Sequence, residues 1–216
     1  MRRALTLGLI LAAVAATVGA QQMETPYRDP EGAEEAARRA LRTFALLVNE
    51  GNYEELGFES PSEPRSATLG EPYGEFMVRL DRLVEYQPGG DASELLNATG
   101  RLTYPVLVGE RTRSSLTVTM REGSWTSESF GAPSYSRRFT EVRDRLGRER
   151  PSSEYFEVRV PALNVSFVGE LGESGLLLTP VFDDPRFGFE SGGTQPADRA
   201  LSSMVAAARE HNGLPT

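Results

Sequence analysis

The sequence predicts an α+β protein, a curved antiparallel sheet packed against an N-terminal helix, with a middle helix and a C-terminal helix. Three observations carry this reading. Residues 101–131, RLTYPVLVGERTRSSLTVTMREGSWTSESFG, alternate apolar and polar positions in three short runs separated by tight-turn residues. Residues 30–50 place Ala37, Leu41, Phe44, Leu47 and Val48 on one helical face. Helical spacing returns in Tyr135, Phe139, Val142 and Leu146, and again in Leu201, Met204, Val205 and Ala208.

The alternating region organises the rest. Leu102, Tyr104, Val106 and Val108 share one face of a first strand, and Ser114, Leu116, Val118 and Met120 share one face of the next. Gly109-Glu110 between them suits a type II′ hairpin turn, because glycine accepts the positive φ of its first central position. A second turn at Glu122-Gly123 leads to Trp125, the sole tryptophan, in a strand closing at Gly131. Such a meander needs a helix or further strands over its apolar face.

In chain order, Asp29 caps and Pro30 opens the first helix, where a missing N–H costs nothing, and Gly51 ends it. Residues 57–74, rich in Gly, Pro and Ser, read as an ordered surface loop or flap. Residues 75–86, EFMVRLDRLVEY, fit both periods; the reading adopted is a strand to about Asp81 followed by a helical turn. Residues 87–94 turn at Pro88-Gly89-Gly90. The second helix spans 133–147 and residues 148–153 are a linker. An extended region from Tyr155 to Glu170 follows, in which Pro161 marks a bulge, bend or edge because it lacks a ladder donor. A strand over 176–182, a loop over 183–195 and a helix over 196–212 with Gly213 at its stop complete the chain. One domain over 30–213 is expected, with a sub-boundary near 148–153.

Residues 1–20, MRRALTLGLILAAVAATVGA, have a basic start, an apolar run from Leu5 to Val18 and small residues before Gln21: the anatomy of a secretory signal peptide cleaved after Ala20. Residues 21–29 are a loose lead-in. The run is shorter than the roughly 20 residues that span a bilayer, and no later segment is apolar enough to do so, so a mature chain without a transmembrane segment is expected. The chain contains no cysteine, which excludes a lipidated cysteine, a disulfide framework, a thiol nucleophile and a cysteine metal site. Export without disulfides fits a bacterial periplasm, or secretion from a bacterium. With 39% hydrophobic residues the chain can bury a sizeable core. Its formal net charge of -8 argues against a nucleic-acid partner, whose electrostatic footprint is basic. All 23 basic residues are arginine.

The order helix, flap, strand, meander, helix and returning strands resembles the cone-shaped α+β folds of the nuclear transport factor two-like and cystatin-like groups. ALRTFALLVNEGNYEELGF near the mature start and the TYPVLVGERTRSSLTVTMREGSWTSESFG meander carry the likeness, over about residues 31–131. The whole chain is also similar to exported bacterial proteins with RLDRL, YPVLV, GSW and VPALN segments. The cone resemblance implies a helix packed into a curved antiparallel sheet. It also implies, where such folds are enzymes, a pocket carboxylate with a tyrosine, here Asp81 with Tyr104. Fold likeness informs architecture far more than activity.

Beside each candidate stands a plainer role. Asp81 is equally placed to pair with Arg79 or Arg82 at a solvated edge, and Tyr104 to fill the core. His211, the only histidine, sits near a helix C-terminus with no second ligand at metal spacing, so neither a metal nor another cofactor is expected. Asp183, Asp184 and Glu190 offer oxygen ligands but match no calcium loop, and Asp184-Pro185 is a turn pair. No GxSxG elbow or phosphate loop is present. Arg137, Arg138, Arg143, Arg145, Arg148 and Arg150 crowd the second helix and its exit; they suit either a solvated face, with Glu141 and Arg145 at i,i+4, or an anionic partner. Asn164 after the Pro161 bend suits a backbone role or a ligand contact, and Arg79 is a further ligand candidate. The expectation is an exported, non-catalytic binding or interaction module for an unidentified small molecule or envelope protein. The alternatives are an isomerase- or hydrolase-like enzyme using a pocket carboxylate, and an envelope assembly factor.

Overall fold

The computed structural model describes residues 30–151, 154–172 and 175–211. The leader, the lead-in to Asp29, the tail from Asn212 with its Gly213 stop, and Ser152-Ser153 within the linker lie outside the described residues. Among the described residues the fold is α+β, an open curved sheet of nine strands with four helices. In chain order these are α1 (Pro30–Leu47), β1 (Thr68–Leu69), β2 (Tyr73–Val78), α2 (Leu80–Glu85), β3 (Leu96–Val108), β4 (Arg111–Arg121), β5 (Ser124–Gly131), α3 (Pro133–Glu149), β6 (Tyr155–Val160), β7 (Val165–Gly172), β8 (Gly175–Pro180), β9 (Gln195–Pro196) and α4 (Ala197–Glu210).

Strands run across the sheet in the order β5-β4-β3-β2-β6-β7-β8-β9, and β1 continues the β2 side of β3. Every pairing is antiparallel except β2 with β6. That parallel seam follows from the connection. β5 ends at one edge, so the chain must recross the sheet to reach the middle, and α3 is the crossover. The hairpin turn between β3 and β4 has Gly109 at φ +60, as a type II′ turn requires.

Register divides the side chains between two faces. Gly74 pairs with Leu102 and Phe76 with Val158, which puts Leu102, Tyr104 and Val106 on the same face as Phe76, Val78, Val158 and Val160. On that face α1 covers β3 to β5, with Phe44 stacked on Phe130 at 4.8 Å, and α2 and α4 cover β2 and β6 to β8. The opposite face receives α3, whose Phe139, Val142 and Leu146 pack on Tyr73, Val168 and Val181; Tyr73 and Phe139 stack at 4.1 Å.

Several boundaries differ from the periodicity. The 75–86 segment leaves its strand at Val78, three residues early, because Arg79 turns back to grip Asp81 and Leu83 is fully buried through the α2 helix. β3 starts at Leu96 rather than Arg101, paired to β2 over Val78, Met77 and Phe76. The 57–74 stretch holds a 3-10 turn over Glu63–Ser66 and the short β1. Leu47 is 52% exposed, since Phe44 and Val48 already fill the space beneath α1. Pro161 opens a 3-10 turn over Pro161–Leu163 that separates β6 from β7. Among the described residues, no helix is long and apolar enough to cross a membrane.

Candidate functional site

A cavity of about 750 Å³ lies between α1, the flap and the first half of the sheet. Helical spacing brings Glu34, Arg38, Leu41 and Arg42 to one stripe of α1. The flap contributes Ala67 to Pro72, and the floor is Leu102 and Tyr104 of β3. The result is an apolar floor beneath a charged lip. At that lip Arg38 donates to Glu34 at 2.9 Å, whereas Arg42, exposed, has no ion-pair partner among the described residues.

The flap is held at both ends. Gly70 N–H donates to the Pro105 carbonyl at 2.8 Å, and Arg143 of α3 donates to the Glu71 carbonyl at 2.8 Å. Further back, Arg113 of β4 lies 2.7 Å from Glu59 and 2.9 Å from Glu63, while Glu63 accepts the Glu59 N–H at 2.6 Å. Phe58 plugs the core beneath α1. These contacts make the flap a fixed wall of the cavity.

The structure separates the acid–base pair implied by the resemblance. Tyr104 is buried at the cavity floor, and burial first, then the charge of Glu34, pushes its hydroxyl up to about 12, so it remains a neutral phenol. Asp81 is absent from the cavity lining and 59% exposed, bound to Arg79 at 3.0 and 2.7 Å. The hydrogen bond from Arg79 lowers the proton affinity of Asp81, the opposite of what a pocket acid needs. An Asp81→Ala substitution should therefore leave the urea unfolding midpoint essentially unchanged, as exposed ion pairs contribute little.

The remaining candidates find mostly internal partners. Arg138 donates to the Val181 carbonyl at 3.3 Å and to Ser191 at 2.8 Å, and Arg145 to the Gly192 carbonyl at 2.7 Å. Arg150 pairs with Glu170, and Arg143 lies over the Tyr73 ring at 5.7 Å. The arginine-rich helix thus faces its own chain. Arg137 remains exposed, with only Ser134 at 3.5 Å. Asn164 takes a left-handed conformation (φ +54) that closes the turn after Pro161, a backbone role. His211 caps α4. Asp183 accepts the Ser191 N–H at 2.6 Å and Asp184 binds Arg186 at 2.7 Å, so both serve the turn; no group of three potential metal ligands occurs among the described residues.

The periodicity does not single out the other polar centre, on the face that α3 covers. Glu75 of β2 and Glu157 of β6 are in-register partners on the parallel seam, 7% and 4% exposed. Tyr135, in the first turn of α3, donates to Glu157 Oε1 at 2.5 Å. In the sequence Glu157 alternates with Phe156 and Val158 and so reads as the solvated side of a strand. Only the passage of α3 across that face buries it. No protein-family model, no curated protein and no solved structure matches the chain.

Proposed function

We propose that the protein is an exported, non-catalytic binding module that holds a small amphipathic molecule between α1 and the flap. The observation that supports this reading is the cavity itself. Its volume of about 750 Å³ is in the range of small-molecule sites, and its apolar floor with a few charged groups at the lip is their usual chemistry. The apolar body of the ligand lies over Leu69, Leu102 and Tyr104, and its polar head meets Arg38 and Arg42. The leader-like residues 1–20 support export, and α1 laid over β3 to β5 supports kinship with the cone-shaped α+β folds. The binding reading takes precedence over an isomerase or hydrolase because the hydrogen-bonded carboxylate–tyrosine pairs among the described residues, Glu157 with Tyr135, Asp198 with Tyr86 and Glu54 with Tyr53, all lie outside the cavity lining.

The test is a thermal-shift series on the purified protein with straight-chain carboxylic acids and the matching alcohols. A bound member at a hundredfold excess over its Kd stabilises by about 2.7 kcal/mol, enough to move Tm by several degrees. Ala67→Trp, which fills the cavity from the flap, should abolish the shift while leaving the unliganded Tm close to that of the parent. Acids shifting more than alcohols would place the head group at Arg38 and Arg42. No shift with any member, or a shift that survives Ala67→Trp, overturns the proposal.

A further inference from the structure

The β2–β6 seam joins two carboxylates that neighbouring cations serve poorly. In-register residues on adjacent strands stand about 4.8 Å apart along the backbone, and Glu75 and Glu157 point to the same face. Glu75 receives Arg101 and Arg159 at 3.4 Å each, and Glu157 has Arg159 Nε at 3.6 Å. Charge-assisted bonds of full strength are nearer 2.8 Å. Arg101 spends its two short bonds, 2.7 and 2.9 Å, on Glu128 of β5. Both arginines are also well exposed, at 39% and 43%, whereas the carboxylates are buried. From α3, Tyr135 donates its hydroxyl to Glu157, and Arg143 lies over Tyr73 beyond.

Two desolvated carboxylates side by side, with cations only at their rim, are relieved most directly by neutralising one of them. We propose that Glu75 and Glu157 form a single proton-binding site, built by the parallel seam and closed by the first turn of α3, that couples the packing of α3 on the sheet to pH. Oε1 of Glu157 already accepts from Tyr135, so Oε2 carries the proton. Burial, opposed by the Tyr135 hydrogen bond and reinforced by the charge of Glu75, raises the Glu157 carboxyl to about 7. The folded state then binds this proton more tightly than the unfolded chain. Its stabilisation is complete below the ordinary glutamate range, declines as pH rises, and is gone above about pH 7, where both states are ionised.

The experiment is a ¹³C NMR titration of the protein labelled at glutamate Cδ, from pH 4 to 9, with Glu157→Gln to assign the resonance and urea unfolding of both proteins across the same range. One glutamate resonance should titrate near neutrality and be missing from Glu157→Gln. The unfolding constant of the parent relative to the variant should rise about a hundredfold between pH 5 and 8. Should the variant fail to fold, Tyr135→Phe provides the same test: losing the hydrogen bond that favours the anion, it should move that resonance to higher pH. Glutamates that all titrate below about pH 5.5, parallel pH curves for parent and Glu157→Gln, or a Tyr135→Phe protein with unmoved midpoints would each overturn the proposal.

Discussion

Arg150→Ala should cost about 3–5 kcal/mol in a urea denaturation at pH 7, the typical penalty for stranding a buried charge. Glu170 is 1% exposed in the middle of β7 and meets the guanidinium twice, Nε at 3.0 Å and Nη2 at 2.9 Å. Removing Arg150 leaves a carboxylate without solvent or cation. The double change Arg150→Met with Glu170→Leu should recover most of the stability, because an apolar pair of similar volume avoids desolvation altogether. A loss below about 1 kcal/mol would mean that water reaches Glu170.

Gly57→Ala should cost about 3 kcal/mol, combining the strain of a left-handed residue with overpacking. Gly57 has φ +93, and an added Cβ would lie 2.0 Å from the Arg113 carbonyl oxygen and 2.5 Å from Pro133 Cβ. Neither obstacle is a flexible side-chain end. The chain can relieve the clash only by lifting the start of the flap from β4, which loosens Arg113 from Glu59 and Glu63. Limited proteolysis should then cut within residues 57–72, and any ligand shift from the cavity should diminish with it. An alanine variant as stable and protease-resistant as the parent would show that the flap start is mobile.

These sites differ in how legible they are. Tyr104 was readable as an inward residue of a strand, and it is the floor of the cavity. Asp81 was readable only as an acid near apolar neighbours, and local pairing with Arg79 two residues away decided its fate. The arginines of α3 looked alike in sequence, yet Arg138 and Arg145, seven residues apart on one side of the helix, reach the 181–192 loop, while Arg137 lies on a different side. Glu75, Glu157 and Glu170 each alternate with apolar residues and read as solvated. Nothing local distinguishes them from Glu128 or Glu154.

By itself, the sequence determined what depends on neighbours within a few residues. Alternation made the β3–β4–β5 meander, helical spacing made α1, α3 and α4, and Gly109 and Pro161 placed a turn and a break. Such patterns act through local backbone preference and the need to bury one face, so they are written in short windows. Tertiary structure alone decided which faces meet. It set β6 beside β2 through the α3 crossover, brought Glu157 into register with Glu75, and enclosed the cavity between α1 and the flap. Burial and electrostatic coupling depend on groups distant in sequence, and one covering helix turns an ordinary strand glutamate into a proton site.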